Sequence, residues 1–247
     1  MFQAKIKADF IRTVIDATAI LVDEAKFKLT SDGIYGRTVD PAHVGMIDFK
    51  LDKEAFDEYE CDEDTEIGVD LEKLKSILRI ATGEETISFT YAKDEGRMTV
   101  NLGNLTRKLA LLDVSEMADT KIPSLELPAE IGVPITEIWQ AIRAAEAISD
   151  HIKLIADPES FQMIAEGDTD VVELKLTKDQ LYTLKCGEKV KSMFPLDYLS
   201  DMIKIAKGKT DEGTLNLGNN FPLKLSLDMA NGTIKIVYLL APRIEAE

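Results

Sequence analysis

The chain has 247 residues, of which 45% are hydrophobic and 30% charged, and its formal net charge is −16. That is enough chain for a sizeable core, while the lack of any run of about 18 apolar residues excludes a membrane-spanning helix. Two cysteines, Cys61 and Cys186, supply neither a disulfide framework nor a cysteine zinc site and point to a reducing interior.

Met1 to Lys7 alternates apolar and polar residues and lacks the apolar run of a signal peptide, so it reads as a first strand. Apolar residues three or four apart then predict a helix over about residues 9–21, capped by Asp9. A second helix is predicted over about 71–82, with Leu71, Leu74 and Leu78 as its buried stripe and Gly83 closing it. Thr86–Tyr91 and Met98–Leu102 flank Lys93-Asp94-Glu95-Gly96 as a hairpin. Ser115 to Pro134 holds Pro123, Pro128 and Pro134 without helical periodicity and reads as an extended connector, with Leu125-Glu126-Leu127 as a short strand. Helices follow over about 135–148, capped by Thr136, and about 197–207, closed by Gly208. Leu223–Leu227 and Thr233–Tyr238 flank Asn231-Gly232, a second hairpin.

An internal repeat organises these elements. Residues 32–83 match residues 157–208 without a gap, and eleven of the 52 positions are identical, among them Cys61/Cys186, Leu71/Leu196, Leu74/Leu199 and Gly83/Gly208. Ordinary residue usage would supply roughly three. Beyond that stretch Asn101-Leu102-Gly103-Asn104 recurs as Asn216-Leu217-Gly218-Asn219, which sets the ends of the two halves in register across a ten-residue length difference. The expected architecture is α+β: two tandem similar domains, each with two helices on antiparallel sheets. The boundaries are 1–114 for the first domain, 115–134 for the connector and 135–247 for the second domain.

Catalytic constellations are scarce. His43 and His151 have no partner at metal-ligand spacing. Gly208-Lys209-Thr210 resembles the end of a phosphate-binding loop, but Ile203 stands where that loop needs a glycine. The cysteines occupy equivalent positions of the two repeats, as relics of the duplication would. Trp139 shares the spacing of Ile135, Ile138 and Ile142 and reads as packing. No catalytic residue, metal or cofactor is assigned.

Charge is unevenly spread. The helix segments carry seven cations (Arg12, Lys73, Lys75, Arg79, Arg143, Lys204, Lys207) and seven anions, so the whole −16 falls on sheets and loops. Arg79 and Lys204 are repeat partners. A helix face relieved of negative charge can tolerate phosphates where the rest of the protein repels them, which suits weak, sequence-independent contact with a nucleic-acid backbone.

Asp40-Pro41-Ala42-His43-Val44, Leu71 to Arg79, Leu125-Glu126-Leu127-Pro128, Phe194 to Leu199 and the ending Tyr238 to Glu245 together resemble the proliferating cell nuclear antigen (PCNA) family of DNA sliding clamps, in its archaeal form, over the whole chain. The resemblance implies a closed trimeric ring, with the helices facing encircled double-stranded DNA and edge strands completed by the next subunit. It implies DNA contacts at Arg12, Lys73, Lys75, Arg79, Arg143, Lys204, Lys207 and Lys209. Asp197 and Ala147 stand where relatives can carry cations, which makes these contacts sparser. It implies a partner-peptide pocket formed by Val39, His43, Val44, Leu125, Leu127, Pro222, Leu239, Ala241 and Pro242. DNA polymerase, ligase and nuclease clients would dock there through short hydrophobic-aromatic motifs, and a clamp loader would place the ring. The expected function is a non-enzymatic processivity factor of replication and repair, in the cytoplasm of a cell without a nucleus. The competing readings are an oligomeric scaffold that never encircles DNA and an acidic metal-dependent hydrolase.

Overall fold

The computed structural model describes residues 1–92 and 96–244. The turn residues Lys93, Asp94 and Glu95 lie outside the described residues, as does Glu245 of the ending motif. The chain forms two compact units, the first from residues 1–41, 47–121 and 229–236, the second from 42–46, 122–228 and the residues from Val237 on.

Unit 1 runs through β1 (Phe2–Lys7), α1 (Ala8–Ala19), β2 (Glu24–Thr30), β3 (Gly33–Val39), β4 (Gly45–Asp52, in this unit from Ile47 on), β5 (Phe56–Cys61), β6 (Thr65–Asp70), α2 (Leu71–Leu78), β7 (Thr86–Tyr91), β8 (Arg97–Leu102) and β9 (Leu105–Ala110). One sheet has the order β5-β1-β7-β8-β9, and a second run has the order β4-β3-β2-β6. Beside β4, the Asp52 N–H donates to the Thr233 carbonyl at 2.8 Å. β1 buries Phe2, Ala4 and Ile6 and leaves Lys5 and Lys7 more open, the period of two that a half-covered strand requires. The helices α1 and α2 pack against each other, and Ile11, Ile15, Leu71, Leu74, Ile77 and Leu78 are buried.

Unit 2 repeats the plan with β10 (Ala129–Pro134), α3 (Ile135–Ala145), β11 (His151–Ala156), β12 (Ser160–Glu166), β13 (Val171–Thr177), β14 (Thr183–Cys186), β15 (Val190–Pro195), α4 (Leu196–Ala206), β16 (Glu212–Leu217) and β17 (Leu223–Met229). Its sheets have the orders β14-β10-β16-β17, followed by the Val237–Leu240 end of β18 (Ile234–Leu240), and β13-β12-β11-β15. α3 buries Ile135, Ile138, Ile142 and Ala145, and α4 buries Leu196, Leu199, Met202, Ile203 and Ala206, so both present one apolar stripe inward. The match of sheet orders confirms the duplication. It extends to detail: the Cys61 and Cys186 thiols donate to the carbonyls of Glu63 and Glu188, at 3.3 and 3.0 Å.

Four sequence expectations are corrected. Asp9 and Thr136 do not cap their helices, which begin after Lys7 and Pro134 without a side-chain cap. Neighbouring loop carbonyls take the first helical N–H instead: Glu85 for Ala8 at 2.8 Å, Asp211 for Ile135 at 2.9 Å, Asp23 for Leu71 at 2.9 Å and Asp150 for Leu196 at 2.9 Å. A polar cap is dispensable once the backbone donor is satisfied. Gly83 does not close α2, which ends at Leu78 with Arg79 as its cap, whereas Gly208 does adopt a left-handed φ of 74°. Leu125-Glu126-Leu127 forms no strand.

The register suggested by the recurring Asn-Leu-Gly-Asn is also wrong. That motif ends β8 in one unit and β16 in the other, yet the sheet orders pair β7 with β16 and β8 with β17. Both copies sit at hairpin turns, and Asn and Gly recur because turns demand them. The two halves therefore stay nearly in register to the end of β8 and β17, without a ten-residue gap.

Candidate nucleic-acid interface and partner surface

The two helices of each unit carry the cations expected to meet phosphate, and the structure gives these side chains unequal freedom. In unit 1 the Arg12 guanidinium turns inward and its Nη2 donates to the carbonyls of Leu78 and Ala81, each at 2.7 Å, with the side chain 23% exposed. Those carbonyls are left without helical partners where α2 ends, so Arg12 serves as a brace between α1 and α2. Lys75 is 16% exposed and its Nζ lies 3.0 Å from Glu72, holding that carboxyl below its ordinary range. Lys73 pairs with Asp70 at 2.7 Å, and Asp70 in turn caps α2 by accepting the Lys73 backbone N–H at 2.9 Å. Arg79 is the most open of the four, 63% exposed with its Nη2 4.0 Å from Glu72. Its place at the C-terminal end of α2 is favoured by the helix dipole.

Unit 2 is more open. Lys204 and Lys207 are exposed, Lys204 in the last turn of α4 and Lys207 as its cap, and Lys209 is exposed just beyond Gly208. Arg143, on the last turn of α3, is 61% exposed and pairs with Glu146. Glu146 also accepts a hydrogen bond from the buried Ser200 of α4, so the two helices are linked through it. Trp139 lies under both cations: the Lys207 Nζ is 5.0 Å and the Arg143 Cζ 5.7 Å from the ring centroid. The sequence reading of Trp139 as packing missed this second face.

The residues expected to receive partner peptides lie mostly in unit 2, Val39 alone belonging to unit 1 at the end of β3. Two groups of unit 2 are brought together. Ala241 donates its N–H to the Val44 carbonyl at 2.8 Å, beside an exposed His43 held at a left-handed φ of 57°. Elsewhere Leu127 comes so close to Gly218 that a Cβ added there would lie 3.3 Å from the Leu127 Cδ2 and 3.3 Å from the Phe221 Cβ. Leu125, Leu127, Pro222, Ala241 and Pro242 are half-buried, while Leu239 is buried and can only floor such a surface. Phe221 is exposed and was not foreseen. Its one sequence signal is an aromatic residue in the otherwise polar turn Asn219-Asn220-Phe221-Pro222.

The connector begins in unit 1, where Lys26 pairs with Asp119 and Arg37 donates to the Thr120 carbonyl at 3.3 Å. Leu112 bridges to Gly68, where a Cβ would approach the Leu112 carbonyl to 2.7 Å, so this contact requires glycine. Among the described residues no group of three or more His, Cys, Asp or Glu is placed to hold a metal ion. No helix of the described chain is long and apolar enough to cross a membrane.

A duplicated α+β chain, each half packing two helices on antiparallel sheets and carrying exposed cations on those helices, falls in the class of clamp-fold proteins. The comparisons give the family. The models "Proliferating cell nuclear antigen, N-terminal domain" and "Proliferating cell nuclear antigen, C-terminal domain" match residues 1–119 and 121–243, and the chain belongs to the PCNA family. Among curated relatives, the "DNA polymerase sliding clamp" of Methanococcoides burtonii is 44% identical over 248 residues, spanning all of both chains. That of Natronomonas pharaonis is 40% identical, again over the whole of both. A solved structure described as "C-terminal region of FEN-1 bound to A. fulgidus PCNA" superposes with a TM-score of 0.94 and 35% identity over all of both chains. The Entamoeba histolytica structure, at 21% identity and a TM-score of 0.89, shares the fold.

Proposed function

We propose that the protein is a DNA sliding clamp: three copies close into a ring around duplex DNA and tether DNA polymerase and other replication and repair enzymes to it, without chemistry of their own. The observation that carries this reading is the placement of exposed cations, Arg79, Lys204, Lys207 and Arg143, on the helices and helix ends of a chain whose net charge is −16. Such contacts are few and sequence-independent, so enclosure rather than affinity must keep the protein on DNA.

The sheet edges support ring formation. β9 ends the five-stranded sheet of unit 1 and β13 ends the four-stranded sheet of unit 2. β9 carries Arg107 and Lys108 and exposes Leu105, while β13 exposes Val171 next to Asp168 and Asp170. Two unpaired edges with apolar residues and opposite charge on one chain suit head-to-tail association, which closes when the rotation between copies completes a circle. The half-buried apolar residues around Leu127, Pro222 and Ala241 would receive client peptides. The relatives' archaeal origin supports a cytoplasmic setting on chromosomal DNA, and the clamp loader is a further expected partner.

The deciding experiment loads the protein onto nicked circular duplex with a clamp loader and ATP, then linearises the circle. Release on cutting is the expected result. Retention after cutting, with loading verified, overturns encirclement and leaves direct binding.

A further inference from the structure

We propose that Trp139 is a positioning residue for DNA contact, holding Lys207 and Arg143 over one indole so that the face of the α3–α4 pair offers a prepared phosphate site. The proposal rests on the reading that the helices face DNA. It starts from a comparison of equivalent positions: Arg12 is the fifth residue of α1 and Trp139 the fifth of α3. In unit 1 this position spends its charge on the carbonyls of Leu78 and Ala81. In unit 2 the same position has no charge to spend, and its ring instead lies beneath two cations that both remain exposed.

The chemistry favours a phosphate over a base. Trp139 is half-buried and covered by cations, so its face is not open for stacking. A lysine stem free in solvent loses much rotamer freedom when a phosphate fixes it. An ammonium resting on an indole has surrendered part of that freedom beforehand, and the N–H groups turned away from the ring stay available. Arg143 is restrained from its other side by Glu146, itself held by Ser200. Lys204, one turn before Lys207 on α4, adds positive charge beside Lys207, whereas Arg143, toward the other end of the helix pair, lies among Glu146, Asp150 and Asp197, so the positive character of the site is carried by Lys207 and Lys204.

The test measures binding of the intact ring to a short labelled linear duplex by fluorescence anisotropy across a salt series. Trp139→Leu should weaken binding about threefold and lower the slope of log K against log salt by about 1, the value of one lost phosphate contact. Trp139→Phe, which keeps a ring, should stay near wild type, and Lys207→Gln in the Trp139→Leu background should add nothing. Wild-type affinity and slope in Trp139→Leu, with Lys207→Gln still weakening binding, overturn the proposal. If Arg79→Ala with Lys204→Ala also leaves binding unchanged, the failure belongs to the DNA-facing reading instead. Should Trp139→Leu not fold, the single tryptophan reports directly. Its emission should shift on adding duplex to wild type but not to Lys207→Gln, and an unshifted wild-type spectrum overturns the assignment.

Discussion

Replacing Arg12 with alanine separates a brace from a DNA contact. The side chain donates two hydrogen bonds of 2.7 Å to the carbonyls of Leu78 and Ala81. A bond from a charged donor contributes about 1.5–3 kcal/mol. Arg12 is 23% exposed, so water can reach the freed carbonyls, and about 1 kcal/mol per bond, or about 2 kcal/mol together, is the expected loss. For a domain of this size that corresponds to a fall of roughly 6 °C in the melting temperature. Arg12→Lys should recover no more than about half, because one ammonium cannot reproduce the guanidinium fork. The assay is thermal unfolding followed by far-ultraviolet circular dichroism at fixed protein concentration, since assembly itself raises apparent stability. An unchanged melting temperature in Arg12→Ala, with a smaller salt slope for duplex binding, would refute the brace and return Arg12 to the set of phosphate contacts.

Asp70→Ala removes the side-chain cap of α2 and should cost about 1 kcal/mol in urea unfolding. The Lys73 side chain, then the Lys73 backbone N–H, holds the Asp70 carboxyl below its ordinary range. Its stabilisation is therefore present above the unfolded value of about 3.9 and lost as pH falls through the lower folded value, and Asp70→Asn should flatten that part of the acid limb. Val171→Asp places a carboxylate on an exposed edge of β13 and should weaken self-association about thirtyfold, the effect of about 2 kcal/mol, when mass is followed by light scattering on dilution; an intact trimer would rule out that edge as the contact. Gly218→Val drives a side chain against Leu127 and Phe221 and should weaken binding of a hydrophobic-aromatic client peptide up to about tenfold in calorimetry. Unchanged peptide affinity with Leu127 displaced would remove Leu127 from the pocket.

The duplication, the four helices and most strands are legible in the sequence because burial periodicity repeats in both halves. Helix caps are less so: Asp70 caps α2 through its side chain, but the groups that satisfy Ala8, Ile135 and Leu196 are the backbone carbonyls of Glu85, Asp211 and Asp150. Any residue supplies a carbonyl, so no side-chain preference marks those positions. The Asn-Leu-Gly-Asn recurrence misleads for the converse reason: turn chemistry repeats wherever turns occur. For the candidate site, the residue types on the helices are readable but their availability is not. Arg12, Lys75 and Arg79 look alike as letters, yet the first faces carbonyls, the second lies along Glu72 and the third projects outward.

That difference bears on how a clamp can move. Each phosphate neutralised releases counterions and steepens the salt dependence by about 0.9 in log units, so a ring using every helix cation would bind DNA tightly and at fixed points. Here one unit engages Arg12, Lys73 and Lys75 internally and leaves Arg79 the most open, at the edge of ion-pair distance from Glu72. The other offers Arg143, Lys204 and Lys207, the first of them shared with Glu146. Contacts that are few and shared with carboxylates can be exchanged from one phosphate to the next at small cost. On the proposed reading retention comes from closure of the ring, and the edges β9 and β13 would bear more of it than any single cation. Weakening the edge by Val171→Asp should abolish retention on circular duplex, whereas removing Arg79 and Lys204 should leave closed rings retained and alter only their salt-sensitive contact.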